Sequence, residues 1–196
     1  MKIRTATLND LDALAAVEAE CFPAAEAATK KDFENRLAYY ADHFWLMFDE
    51  NGKLIAFVDG MVTDQTDLTD EMYEKGELHN ENGAWQMIFG VNTIPSCRKK
   101  GYAGELIKAA IEDARKQGRK GLVLTCKDKL IHYYAKFCKR GRFPVRSRKC
   151  SMVSNEADFL SQPRFFNPSV IPVHLFYLQS GTYGHKPLVP LLFCRL

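Results

Sequence analysis

Residues 84–126 constrain this chain more than any other stretch. Two apolar runs of strand length, "AWQMIFGVNTI" and "RKGLVLTC", stand either side of "PSCRKKGYAGELIKAAIEDARKQG". In the connecting segment Leu106, Ala110, Ile111 and Ala114 recur at helical spacing, and Gly118 is placed to stop the helix. The first run does not alternate between apolar and polar residues. It therefore reads as a central strand covered on both faces.

The flanking sequence supplies the cover. "KIRTAT" is a short strand, and "LNDLDALAAVEAECF" is a helix capped near Asn9, with Leu11, Leu14, Ala15 and Val17 on one face. Thr29 caps a second helix, "KKDFENRLAYYADHF". "FWLMFDENGKLIAFVDGMV" holds two strands around Glu50-Asn51-Gly52, since Asn-Gly is a strong hairpin signal. "TDQTDLTDEMYEKGELHNENG" is a long polar loop with room for one helical turn, and "DKLIHYYAKF" is a last helix. The order is strand, two helices, hairpin, then strand–helix–strand–helix. That is an α/β domain with a mixed central sheet flanked by helices.

With 46% hydrophobic residues in 196, the chain has the apolar content for one ordinary core. Its formal charge of +3 averages two unlike regions. Residues 1–137 hold 18 Lys+Arg against 22 Asp+Glu, a net of −4, whereas residues 138–196 hold 9 against 2, a net of +7. A basic tail is one way to meet nucleic acid or an anionic membrane surface. The cysteines, Cys21, Cys97, Cys126, Cys138, Cys150 and Cys194, form no C-x-x-C pair and have no His at ligand spacing. No zinc or other metal site is therefore predicted. No apolar stretch has the length of a signal peptide or a membrane span, so a cytoplasmic chain with free thiols is expected.

Chemistry concentrates in "VNTIPSCRKKGYAGELI", where a buried strand turns into a helix. Gly101, Ala103 and Gly104 keep bulky side chains out of the turn, so backbone N–H groups can approach a ligand closely. The helix N-terminus adds partial positive charge, and Arg98, Lys99 and Lys100 add formal charge. This is an anion site suited to a diphosphate; a softened turn with solvated charges is the plainer reading. A P-loop would need G-x-x-x-x-G-K-S/T, and a dinucleotide fingerprint would need G-x-G-x-x-G after the first strand. Neither is present.

What fits is Arg98-x-x-Gly101-x-Ala103, which resembles the Gln/Arg-x-x-Gly-x-Gly/Ala signature of the GNAT superfamily of N-acetyltransferases. The preceding "IFGV" is similar to that family's central strand, and "YYAKF" to the start of its Tyr-x-x-Phe-Gly-Phe element. The resemblance runs from the first strand to Phe137. It implies a GNAT-like mixed sheet and acetyl-CoA as cosubstrate, with no metal. The backbone of Phe89 and Val91, with Gly90 between them, would pair with the pantetheine arm. Arg98, Lys99, Lys100, Gly101, Tyr102, Ala103 and Gly104 would hold the diphosphate.

The resemblance also implies direct acetyl transfer to an amine, here expected to be the primary amine of a small molecule. A homodimer is allowed. Neither nucleic acid nor membrane is expected as partner, since prolines and polar residues interrupt the apolar runs of the tail and its basic charge has another origin, given below. An amine with a pKa of about 10 must lose a proton before it attacks, and the tetrahedral oxyanion needs a donor. The departing thiolate, with a pKa of about 8.5, is helped by an acid. Tyr134 takes the family's acid position; its neighbour Tyr133 reads as packing. Arylalkylamine N-acetyltransferases, which "LTDEMYEKGELH" and "YYAKF" faintly resemble, use paired histidines on the central strand as base. Here those places hold Trp85 and Met87, which accept no proton, leaving Glu77 and His79 in the loop before the strand as substitutes. Cys97 and Cys126 flank the turn, but direct transfer needs no thiol nucleophile, and both read as packing residues.

After Phe137 the style changes. The family continues with Gly-Phe and a two-stranded hairpin, whereas this chain reads "CKRGRFPVRSRKCSMVSNEADFLS" without apolar alternation. One permitted coding of residues 138–161, read one base later, gives "VNEGVSRSVHGNVVWYQMRLTF" and a stop. The Trp in it is forced, because Met152 has a single codon and the first base of Val153 completes TGG. The expectation is a domain over 1–137 that has lost its C-terminal strands, or had them replaced, and an out-of-frame, poorly ordered tail over 138–196. The basic tail then needs no nucleic-acid partner. Two other readings stay open: a non-catalytic acyl-CoA-binding remnant, and a nucleic-acid-binding module using the tail.

Overall fold

In the computed structural model, which describes residues 1–126, 130–137 and the backbone of 149–153, local sequence signals set most element ends. Thr29 Oγ1 accepts from the Asp32 N–H at 3.2 Å while Asp32 returns the bond to the Thr29 N–H at 2.7 Å, a capping box that starts the second helix. The first α-helix has its N-cap at Asp10, beside the expected Asn9. A 3-10 turn, Leu8–Asp10, capped at Thr7, leads into it, and Asp10 accepts from the Thr7 N–H at 2.8 Å and is gripped by Arg4 at 2.6 and 2.8 Å. Gly52 turns the hairpin with φ 77°, and Gly118 follows the long helix with φ 73°, both in the left-handed region that glycine enters without strain.

The elements run β1 (Lys2–Thr5), α1 (Leu11–Cys21), α2 (Lys30–Tyr40), β2 (Phe44–Phe48), β3 (Leu54–Asp59), β4 (Val62–Thr63), α3 (Glu71–Glu74), β5 (Trp85–Ile88), β6 (Gly90–Thr93), α4 (Tyr102–Lys116), β7 (Gly121–Thr125), α5 (Ile131–Ala135) and β8 (Lys149–Val153). The polar loop contains the helical turn it has room for, α3. Helices α1 and α2 cover one sheet face, where Phe33 meets Phe44 and Phe57 edge-on at 6.3 and 5.7 Å. On the other face α4 buries Leu106, Ile107, Ala110 and Ala114, and its Asp113 accepts from Trp45 Nε1 at 2.8 Å. Ile107 takes the core place expected of Ile111. Among the described residues no helix is long and apolar enough to cross a membrane.

One predicted strand proves to be two. The run 84–94 divides at Phe89: β5 lies in the order β4-β5-β7-β8 and β6 in the order β1-β2-β3-β6. The facing hairpin bends at the same level, because β3 pairs with β6 through Asp59↔Gly90 and β4 pairs with β5 through Val62↔Gln86. Gly60 sits at that bend, where a Cβ would lie 1.8 Å from the Met87 carbonyl oxygen, so only glycine fits. Beyond β7 the backbone of β8 continues the sheet, antiparallel, from Gly121↔Val153 to Thr125↔Lys149. That strand falls inside the stretch expected to be out of frame; the rest of 138–196 lies outside the described residues.

Candidate functional site

The division at Phe89 makes a wedge. β5 and β7 are parallel neighbours as far as Ile88↔Leu124, after which β6 turns to β3 and no described strand pairs with its other edge. Phe89, Gly90 and Val91, the residues assigned to the pantetheine arm, line the point where the sheets part. All three are buried. The Phe89 ring packs on Tyr73 at 4.7 Å and Tyr40 at 6.4 Å, on the α1/α2 side.

At the far end of β6 the chain passes through a 3-10 turn, Pro95–Cys97, into α4. Lys99 has φ 64° and Gly101 φ 92°, so two left-handed residues bracket the exposed Lys100. Such a conformation at a lysine costs of order 1–3 kcal/mol and persists at sites that need a particular backbone shape. The first α-helical bond, from the Glu105 N–H to the Gly101 carbonyl at 3.2 Å, leaves the N–H groups of Tyr102, Ala103 and Gly104 outside the helical ladder, and no side chain caps them. Such free amides at a helix start carry partial positive charge, and the exposed Lys99 and Lys100 stand next to them in the chain. Arg98 is held differently: its Nε donates to the Thr93 carbonyl at 3.1 Å, so it braces β6 against the turn.

Helix α5 closes this end. A Cβ at Gly104 would lie 3.4 Å from the Phe137 ring and 3.6 Å from the Tyr133 hydroxyl, so a small residue there lets α5 approach α4. Tyr134 is fully buried, at 0% exposure, whereas Tyr133 is half-buried between Gly104 and Phe137. Cys126 is buried and Cys97 half-buried.

A cluster of ionisable groups on the α1/α2 face was not foreseen. Arg36 of α2 and Asp59 of β3 pair at 3.1 Å with side chains 3% and 1% exposed. Arg36 also donates to the Tyr73 carbonyl at 3.1 Å, and its guanidinium lies 5.2 Å from the Phe89 ring centre. Glu18 of α1 is 1% exposed; Oε1 accepts from the Ala28 N–H at 3.0 Å and Oε2 from Asn92 Nδ2 at 2.8 Å. Burial lifts the Glu18 carboxyl to about 7, against the pull of the Ala28 and Asn92 bonds. Burial likewise raises Asp59 to about 6 despite Arg36, and Tyr73 to about 12. Arg36 Nε, the Tyr40 hydroxyl, Asn92 Oδ1 and Thr93 Oγ1 are buried without a hydrogen-bond partner among the described residues.

The loop candidates lie apart from β6. Glu77 is exposed. His79 joins His43, with ring centres 5.1 Å apart, and both Nε2 atoms meet Glu81 Oε2, at 3.2 Å and 2.8 Å. One atom from each of the three lies within 4.8 Å of the others, a grouping that could ligate a metal. The hydrogen bonds favour another use. His79 Nδ1 accepts from the Val62 N–H at 3.1 Å, so a neutral ring carries its proton on Nε2 and donates to Glu81. Metal binding would need that same nitrogen unprotonated. Arg119 holds the other Glu81 oxygen at 2.5 Å, and His43 Nδ1 donates to Gln86 Oε1 at 2.8 Å. The places of the expected strand histidines, Trp85 and Met87, are both buried.

Compared with known proteins, residues 11–139 match the acetyltransferase (GNAT) family. Among solved structures the chain is similar to a GphF GNAT-like decarboxylase in complex with isobutyryl-CoA (23% identity, TM-score 0.59, covering 69% of this chain and 71% of that one). It is also similar to the loading GNATL domain of CurA from Lyngbya majuscula (17% identity, TM-score 0.59, covering 71% and 70%). A third similar structure is the GNAT family N-acetyltransferase YhbS from Escherichia coli in complex with CoA (16% identity, TM-score 0.54, covering 82% and 84%). At these identities the likeness is one of fold. Among curated proteins none matches the chain in sequence.

Proposed function

Because the chain belongs to the acetyltransferase (GNAT) family, we propose that it binds acetyl-CoA and moves the acetyl group to the primary amine of a small molecule. One observation carries this reading: the wedge that opens where β5 gives way to β6 and the chain parts from β7 leads along β6 to the uncapped start of α4. A pantetheine arm lying beside Phe89, Gly90 and Val91 delivers its diphosphate to residues 98–104. The thioester then sits near Phe89, next to the α1/α2 face. Likeness in fold to proteins solved with isobutyryl-CoA and with CoA supports the acyl-CoA half of the reading. The aromatic rings around Phe89, with unpaired polar atoms beside them, support a small acceptor over a protein surface.

In this mechanism Tyr134 protonates the departing CoA thiolate from α5, and a backbone N–H near the division of the strand receives the oxyanion. The test is transfer by the full chain to 2-phenylethylamine, 1,4-diaminobutane and lysine methyl ester. The expected result is free CoA and acetylated amine in equal amounts. Thiol release without acetylated amine, or no turnover beside tight acetyl-CoA binding, would sink the amine acceptor and leave an acyl-CoA-binding chain.

A further inference from the structure

The reaction needs a group to take the amine's proton, and the loop cannot supply it. Glu77 is exposed, and both nitrogens of His79 are engaged, by Val62 and Glu81. Resting on the amine-acceptor reading above, we propose that Glu18 is the proton acceptor, working with Asn92 beside Gly90 on the α1/α2 face of β6.

The placement follows from the ladder. Gly90 lies opposite Asp59 and Asn92 opposite Phe57, so Gly90 and Asn92 share one side of β6, about 7 Å apart. Gly90 brings no side chain between Asp59 and the Glu18–Asn92 pair. The acceptor's ammonium group, placed over Gly90, would stand between these two carboxylates. Each Glu18 oxygen receives one donor, which leaves lone pairs for another N–H, and Asn92 Oδ1 is buried with no partner among the described residues. The charged groups facing Glu18 are Arg36 from α2 and Asp59 from β3, and Cys21 lies one turn on in its own helix. With Arg36 positive, the Glu18–Asp59–Arg36 set holds one net negative charge and becomes neutral on taking one proton. A carboxyl near neutrality suits that task.

The step balances. The ammonium gives one proton to the Glu18 carboxylate, and its lone pair forms the C–N bond to the thioester carbon. Collapse of the tetrahedral centre breaks the C–S bond, with the electron pair leaving on sulfur. The thiolate takes the Tyr134 phenol proton, and the proton left on the new amide nitrogen restores that phenol. The products are the N-acetyl amine, CoA thiol and protonated Glu18, which returns its proton to solvent.

Glu18→Gln gives a clean test. The Gln carbonyl still accepts from Ala28, and its amide donates to Asn92 Oδ1 once Asn92 turns over, so the packing survives without the proton affinity. We expect kcat/KM for the three amines, followed with the full chain between about pH 5.5 and 9, to fall in wild type below about pH 7. Glu18→Gln should lack that acid limb and be slower on the order of 10²-fold at about pH 8, with acetyl-CoA affinity unchanged. A Glu18→Gln protein that keeps the acid limb, or the wild-type rate, overturns the assignment while leaving amine transfer standing. Wild type that acetylates none of the amines overturns the acceptor reading, and the role of Glu18 falls with it.

Discussion

Asn92 Nδ2 of β6 donates to Glu18 at 2.8 Å, while Oδ1 of the same amide is buried without a partner among the described residues. This bond ties the first helix to the strand at the wedge, and it places a desolvated carboxyl in the core.

That carboxyl should be visible in stability. Its folded value of about 7 lies above the ordinary 4.5, so between those values the native chain binds a proton that the unfolded chain does not. The group's contribution is fully present below the unfolded value and is lost as pH rises through the folded one. The difference is about 3 kcal/mol. Asp59, raised to about 6, adds slope of the same sign. Thermal melts should therefore show a lower Tm at about pH 8 than at about pH 5.5, and Glu18→Gln should flatten the slope and melt higher at the alkaline end. An unchanged slope would mean that Glu18 titrates normally.

Gly101 should be replaceable only at a cost in backbone strain. At φ 92° a Cβ would meet nothing within 4 Å, so Gly101→Ala tests conformation and not space. A loss of about 1 kcal/mol in denaturant melts is expected, together with weaker acetyl-CoA binding because the α4 amides shift. Wild-type values for both would show that the turn does not depend on its left-handed residue.

Tyr134 and Tyr133 separate by role. Tyr134→Phe should lower kcat on the order of 10²-fold with little change in acetyl-CoA affinity, whereas Tyr133→Phe should stay near wild type. If the two variants behave alike, the acid lies elsewhere and Tyr134 is a core residue.

Much of the fold was legible because its signals are local. Thr29, Asn51-Gly52 and Gly118 each act within a few residues, and the apolar face of α4 repeats over four turns. The division at Phe89 was not legible, since a strand that changes partners has the same composition as one that does not; Gly60 across the hairpin was the available hint. The turn into α4 could be read from Gly101, because a left-handed residue there demands glycine. The buried charges were missed although they stood in plain positions. Glu18 falls four residues after Leu14 and seven after Leu11, and Arg36 falls three after Phe33, so both occupy the core stripes of their helices. A charged residue on such a stripe marks a buried partner, here on another element.

The break after Phe137 makes its own forecast. The family match ends at residue 139, and β8, at Lys149–Val153, falls where the one-base-shifted reading places Val-Val-Trp-Tyr. A protein continued from Phe137 with Gly-Phe and the shifted residues should melt higher and more sharply than the chain as it stands, by several kcal/mol, because a complete hairpin with apolar alternation would then stand beyond β7 in place of the present 149–153 strand. Equal melts, with residues 138–196 resisting limited proteolysis, would make the present tail a structural element in its own right. The coding DNA across codons 130–165 should show the displaced frame.

The most direct test of the central claim is isothermal titration of acetyl-CoA into the full chain. Binding at one site per chain is expected, and the Arg98→Glu, Lys100→Glu double variant should weaken it at least tenfold by placing about 1.4 kcal/mol or more of repulsion and lost bracing beside the diphosphate. Absence of binding by the wild-type chain, or equal affinity in the two proteins, would contradict the assignment of residues 98–104 as the diphosphate site and the acetyl-CoA reading built on it.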